Sequence, residues 1–463
     1  MTRSGSIRGI TNGVEDMRAG FVSRIKLGIC RERLTGRGGF LLLSELWEHL
    51  GVSEFLDSAL PEPGSGRGFR PSQIIRSIVG VLFSGGEHLS DITHLSWDWL
   101  LFALNGSRKL PAPNTLTTWL NRCEQWVEHE SGGGLENVVL QGIKRVNREL
   151  LRVLAGLLKK TSLIVDVDAT LVKAKKRTAR ITYKGFPGYQ PQLAYLPELR
   201  AFLGSQLRPG NEPSSKDAVD YLEDCKASMP EGTHIRLLRA DAAYYQREVL
   251  KWCLDNGIDF AIRAVRDSEV MRAIWSIAPH EWQRYVDSDG VEQSDAEVAS
   301  AFHSMEGVDW FRLVVLRRRR DSGSQLDLFD GRYEYFPIAT RLKCPAEDVV
   351  HLYNQRGKME DGIGQLKQDF GLSSMPCSKF EANDVWAAIG ILAFAFFALF
   401  KAALGGHWSV KKLKTVRFHI LDIPGKLVYH ARELVLKLDC SSGFLKFFRE
   451  SLRRCQSLAS RFG

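Results

Sequence analysis

A chain of 463 residues is long enough for several domains and a sizeable core. At 44% hydrophobic and 25% charged residues it has the composition of a globular protein, which argues against a disordered or fibrous chain. A formal charge of +9 and a pI near 9.1 point toward a polyanionic partner.

Residues 1–40 carry eight Arg or Lys against three acids, with many Gly and Ser, and are expected to form a basic arm. From residue 41 to about 160 the pattern is helical, with runs over Leu42–Leu50, Ser72–Phe83, Leu89–Leu104 and Thr115–Val127. Pro113-Asn114-Thr115 reads as a capped helix start. Short helices around a Gly/Pro turn there make 41–160 a candidate helical DNA-binding domain of helix-turn-helix type.

The texture changes near Thr161. Leu163–Val172 is alternating and β-branched, which predicts a strand. Strands follow around Tyr189–Leu196 and Arg200–Leu207, then a helix over Ser215–Ala227. A strand over His234–Ala240, a helix over Arg247–Asn256 and a strand over Ile258–Val265 complete the run. Three adjacent strands, then alternating helix and strand, predict an α/β core with a mixed sheet, spanning 161–265 and 336–400. Between them, 266–335 is expected to be a β-rich insertion, with strand-like runs at Trp310–Leu316 and Tyr333–Ala339 around a polar stretch containing Ser322-Gly-Ser.

Val385–Phe400 is an apolar run of sixteen residues, short of the roughly 18–20 that span a bilayer, so it is expected to be a buried core helix and not a membrane anchor. The basic tail 401–463 shows no clear element type. Eight scattered cysteines without a C-x-x-C pair, and no apolar signal-peptide core in the first thirty residues, predict a reduced cytoplasmic protein without structural zinc. Phosphate-tracking surface is suggested by four cationic stretches. They are the arm, the acid-free run Ala169–Pro197 with six cations, Arg317–Arg320, and the acid-free run Lys401–Leu421.

The most pointed feature is the run from Tyr353 to Lys367. Tyr353, Arg356, Glu360 and Lys367 lie at offsets of zero, three, seven and fourteen. On one continuous helix, at about 100° per residue, these four share a stripe roughly 60° wide, beside an apolar face of Leu352, Met359, Ile363, Leu366 and Phe370. Gly357 and Gly364 lie beside the stripe and leave room for a close backbone approach. A carboxylate among cations suits metal and phosphate together. Two further acids fit with Glu360: Asp168 at the exit of the first strand, in Asp-Ala-Thr, and Asp241 at the exit of the fourth, in Asp-Ala-Ala-Tyr. Strand exits form the functional edge of α/β sheets. Three carboxylates converging there would hold two Mg²⁺ ions, with Mn²⁺ as a possible substitute. Asp166 rivals Asp168, because period two puts both on one strand face. No Walker loop, nucleophile elbow or histidine metal motif competes.

This constellation resembles the bacterial insertion-sequence transposases with a DDE triad on a ribonuclease-H-like fold, in the subgroup marked by Y-x2-R-x3-E-x6-K. The resemblance implies a ribonuclease-H-like mixed sheet flanked by helices, interrupted by a β-rich insertion. It makes Asp168, Asp241 and Glu360 the catalytic, metal-binding acids. It puts Tyr353, Arg356 and Lys367 on transposon-end phosphates. It further implies double-stranded DNA (terminal inverted repeats and target) as partner, a homodimer in the synaptic complex, and a nucleoid-associated bacterial location. Trp275, Trp282 and Trp310 are candidates to stack on a flipped base.

Overall fold

The computed structural model describes residues 28–64, 68–105, 109–123, 126–128, 135–320 and 333–459; Ser322-Gly-Ser and most of the basic arm lie outside them. Nine strands form one sheet: β1 (Ser162–Ala169), β2 (Gln192–Leu196), β3 (Ala201–Gln206), β4 (His234–Ala240), β5 (Asp259–Arg263), β6 (Gln283–Val286), β7 (Glu292–Met305), β8 (Val308–Arg319) and β9 (Tyr333–Thr340). Their order is β6-β7-β8-β9-β5-β4-β1-β2-β3. β1, β4 and β5 run parallel, while β2, β3 and all strands from β6 to β9 pair antiparallel with their neighbours. The first five strands thus stand in the order 3-2-1-4-5 with the second reversed, the ribonuclease-H-like arrangement that the family resemblance implies.

The strands expected in a β-rich insertion extend this same sheet from the edge of β5. β7, with the polar sequence Glu-Gln-Ser-Asp-Ala-Glu, is a strand that the residue pattern does not announce; it turns only Ala296, Val298, Ala299 and a few others inward. Register fixes where this extension reaches. Arg263 of β5 pairs with Ile338 of β9, and β9 continues to Tyr333, opposite Arg319 of β8. The Arg317–Arg319 end of β8 therefore overhangs the carboxyl ends of β4 and β5 by roughly 10–17 Å at about 3.4 Å per residue.

The helices that matter most are α1 (Phe40–His49), α2 (Pro71–Phe83), α3 (Pro113–Asn121), α4 (Val138–Leu158), α5 (Ala346–Asn354), α6 (Gly357–Asp369) and α7 (Phe380–Leu404). α7 is the one helix among the described residues long and apolar enough to cross a membrane, yet it is buried inside the protein. It extends the predicted sixteen-residue run at both ends. Its Phe394, Phe396 and Phe397 meet Phe202 of β3, Trp47 of α1, Phe83 of α2 and Phe370 at ring separations of 4.8–6.2 Å. The N-terminal helices and the sheet thus share one hydrophobic core around α7. A smaller core on the opposite sheet face packs Ile164, Leu237, Val314 and Ile338 against Val349 and Val350 of α5.

Both ends of the described chain join this body. Leu34–Thr35 pairs with the first strand of a hairpin (Gly425–His430 and Glu433–Leu438), so residues 34–35 of the expected arm are sheet. A last helix, Ser442–Ala459, follows in the tail.

Candidate active site

The parallel register of β1 and β4 sets Arg239 opposite Asp166 and Ala240 opposite Val167, so Asp168 and Asp241 leave the sheet side by side. Burial sets Asp166 apart from Asp168. Asp166 and Arg239 are both fully buried, with Arg239 Nε donating to Asp166 Oδ1 at 2.5 Å and Nη2 to Oδ2 at 2.6 Å. Burial pushes the Asp166 carboxyl up, against the pull of the guanidinium. With both oxygens committed, Asp166 is structural. Arg239 also donates to the Leu352 carbonyl on α5, fixing the segment that carries Tyr353.

Asp168 is partly exposed. Its Oδ1 accepts from the Ala169 amide at 2.8 Å, and its Oδ2 faces Arg356 Nη2 at 3.0 Å. Burial pushes this carboxyl up; Arg356 opposes the push, and Asp241 and Glu360 add to it. Asp241 caps a short turn, accepting from the Ala243 amide at 3.1 Å.

The signature run is not one helix. α5 ends at Asn354 and α6 begins at Gly357, with Arg356 closing a tighter turn onto the Tyr353 carbonyl at 2.9 Å. The single stripe predicted from the helical wheel is therefore replaced by three separate dockings. The Tyr353 hydroxyl donates to the Ala240 carbonyl at 3.3 Å. Arg356 Nη2 donates to the Val167 carbonyl at 3.2 Å as well as to Asp168. Lys367 Nζ donates to the Leu171 carbonyl at 3.0 Å. All three thus hold main chain at the ends of β1 and β4. Burial lowers the Arg356 guanidinium, but Asp168, Tyr353 and Asp241 outweigh it and leave it above its ordinary value. Burial and the nearby Lys184 push Lys367 down.

Glu360, on the first turn of α6, is exposed. Its charge reaches Asp168, but among the described residues no three acidic, histidine or cysteine side chains stand close enough to make a finished metal site. The expected convergence of three carboxylates is thus not assembled here: Arg356 occupies Asp168, and the turn at Gln355–Arg356 sets the direction of α6. The donor set still suits a hard divalent cation. It is all oxygen, two aspartates leave neighbouring strands, and the Asp241 charge raises the cost of ionising Asp168. Gly357 and Gly364 face open space, as predicted, while Gly362 lets α6 settle on Tyr195 and Phe202, where a Cβ would stand 3.2 Å from the Tyr195 ring.

Of the three tryptophans, Trp282 lies under the Arg317 guanidinium, 3.9 Å from its ring centre, near the overhanging end of β8. Trp310 is exposed but sits toward the opposite end of that strand, away from Asp241, and Trp275 is half exposed. Neither the Arg239 clamp nor the Arg317 stack on Trp282 is legible from residue spacing.

Two strand-end aspartates, a third acid on a following helix and the Tyr-Arg-Lys dockings occur here on a ribonuclease-H-like sheet. A family profile described as "Transposase DDE domain group 1" matches residues 18–460. The chain belongs to this transposase family. Among solved structures, the transposase is similar to the piggyBac transposase in a cryo-EM synaptic complex with hairpin DNA. The TM-score is 0.44 and the identity 10%, over 92% of this chain and 80% of that one. No curated protein sequence matches it.

Proposed function

We propose that this transposase cuts DNA at the ends of an insertion sequence and joins the freed 3′-hydroxyls to target DNA. The observation that carries the reading is Arg356. Its Nη2 is engaged by Asp168 and Val167, while its Nε is buried without any hydrogen-bond partner. A buried guanidinium N–H left unpaired costs free energy, and a swing of Arg356 onto a DNA phosphate beside Asp168 would relieve that cost. Tyr353 and Lys367 flank that position from the Ala240 and Leu171 carbonyls.

Asp168, Asp241 and Glu360 are the residues that would hold two Mg²⁺ ions, or Mn²⁺ in their place. When bound, such ions supply activation of an attacking water or 3′-hydroxyl and neutralise charge at the leaving oxygen. Arg356 steadies the Asp168 carboxylate and neutralises it in the resting chain. Arg318 and Arg319, exposed on the overhanging end of β8, face the same edge of the sheet and add positive potential for duplex DNA. Double-stranded terminal repeats and target DNA, a homodimer in the synaptic complex and a cytoplasmic, nucleoid-associated setting belong to this reading.

The test is strand transfer. Incubated with an end-bearing oligonucleotide and a plasmid target in Mg²⁺, the protein should yield joined products. Hydrolysis without joining would favour the second reading, a ribonuclease-H-like nuclease or resolvase. DNA binding without cleavage would favour an inactive descendant.

A further inference from the structure

Between β1 and β2 the chain makes a small three-stranded sheet of its own, from Val172–Lys173, Arg180–Ile181 and Pro187–Tyr189. In its tip, the turn from Thr182 to Phe186, Tyr183 is 76% exposed, and Ile181, at the end of the strand leading into it, is 62% exposed.

The hairpin is fixed. Thr182 donates from both its amide and its hydroxyl to the Phe186 carbonyl at 2.9 Å, and the Gly185 amide returns to Thr182 at 2.9 Å. At the base, Thr178 bonds the Tyr189 hydroxyl at 2.5 Å, and Lys176 Nζ donates to the Pro376 carbonyl at 3.0 Å. The backbones are packed so closely that a Cβ on Gly188 would stand 2.3 Å from the Val172 carbonyl. Along the hairpin, Lys173, Lys175, Arg177, Arg180 and Lys184 are exposed cations, with Lys184 in the turn itself, and no acid occurs from Ala169 to Pro197.

The hairpin stands beside the candidate active site. It leaves β1 immediately after Asp168. Lys367, bonded to the Leu171 carbonyl at its root, feels Lys184 and Asp168 alike. It links β1 to β2, whereas the Arg318–Arg319 overhang lies beyond β5 on the other side of β1 in the large sheet.

We propose that this hairpin is a DNA wedge: its cations track the backbone of the duplex held at the active site, and Tyr183, backed by Ile181, stacks on an unpaired base at the DNA end. The wedge rests on the transposase reading and adds an element that the acids and the Tyr-Arg-Lys residues do not include. Charge complementarity selects the occupant. An acid-free cationic hairpin ending in an exposed aromatic suits a polyanion with an exposed base face, and a second copy of this basic hairpin would be repelled.

The experiment uses the full chain and a short fluorescent duplex of arbitrary sequence, either fully paired or with a few splayed nucleotides at one end. The parent should bind the splayed form more tightly. Tyr183→Ala should weaken binding to the splayed form by roughly 5-fold or more, the low end of base-stacking losses, and leave the paired form unaffected; Tyr183→Phe should behave as the parent. Combining Lys173→Gln, Arg180→Gln and Lys184→Gln should weaken both forms and reduce the salt slope by about 0.9 for each phosphate no longer neutralised. The wedge is overturned if Tyr183→Ala binds both forms as the parent does, or if the triple variant keeps the parental salt slope. Mg²⁺-dependent cleavage by the parent is scored separately, on the end-bearing oligonucleotide. A parent that cuts while Tyr183→Ala keeps the splayed-end preference sinks the wedge alone. A parent that never cuts sinks the transposase reading and leaves the binding result to be judged by itself.

Discussion

Arg239 and Asp166 meet across two parallel strands in a fully buried two-pronged ion pair, and the third prong of the same guanidinium holds the Leu352 carbonyl. This pair couples the strands that end in Asp168 and Asp241 to the helix that presents Tyr353. Removing one partner leaves an uncompensated buried charge, so Arg239→Leu or Asp166→Leu alone should cost about 3–5 kcal/mol. The double variant with two apolar residues should recover much of that loss. Urea unfolding of the three variants checks this; a single variant as stable as the parent would contradict the assignment.

Arg356 should matter for DNA more than for the fold. Arg356→Ala frees Asp168 and opens the Val167 carbonyl. It should weaken end binding and reduce the dependence of log affinity on log salt by about 0.9, the share of one phosphate. Arg356→Lys keeps the charge but cannot serve Asp168, Val167 and a phosphate together, so it should rescue only in part. Fluorescence anisotropy across a salt series reads both.

Much of the core is readable from residue patterns. β4 runs over His234–Ala240 as predicted, and the mixed sheet agrees with the reading of three adjacent strands followed by alternating helix and strand. The choice between Asp166 and Asp168 is not readable by period alone, because both share a face; a parallel neighbour is needed to show which one meets Arg239. The break at Gln355–Arg356 escapes the helical wheel for a different reason. Neither residue disfavours helix, and both keep helical backbone angles. The turn is tightened where Arg356 bonds the Val167 carbonyl of β1, a tertiary contact. β7 escapes because its polar residues hide a strand that pairs on both edges.

Lys401 offers a pH test of the core. It lies near the end of α7, buried, with its ammonium 4.7 Å from the Phe397 ring centre. Burial and Arg200 push it down to about 8, while Asp361 pulls the other way. A lysine depressed on folding costs stability while charged. That cost is fully present below about pH 8 and fades as pH rises toward its ordinary value of 10.5. Lys401→Met should therefore raise the melting temperature by a few degrees at pH 7, with the gain vanishing near pH 10.5. Thermal melts across that range check the sign; a constant gain, or one that grows with pH, would refute it.

Trp282 and Arg317 form a stack that also includes Tyr333, 4.3 Å from the guanidinium to its ring centre, with Glu297 bonding Arg317 Nε at 2.8 Å. Trp282→Ala should loosen the overhanging end of β8 and speed its hydrogen exchange, without changing exchange in β1 or β4. Uniform loss of protection across the sheet would show instead that this stack supports the whole fold.

Whether Glu360 acts with Asp168 and Asp241 decides the mechanism. Glu360 is exposed and makes no side-chain hydrogen bond or ion pair among the described residues, so Glu360→Gln should melt with the parent. Cleavage of end-bearing DNA in Mg²⁺ by this variant is the decisive measurement. Abolished cutting with folding and DNA binding intact is the predicted result, and cutting at the parental rate would contradict it.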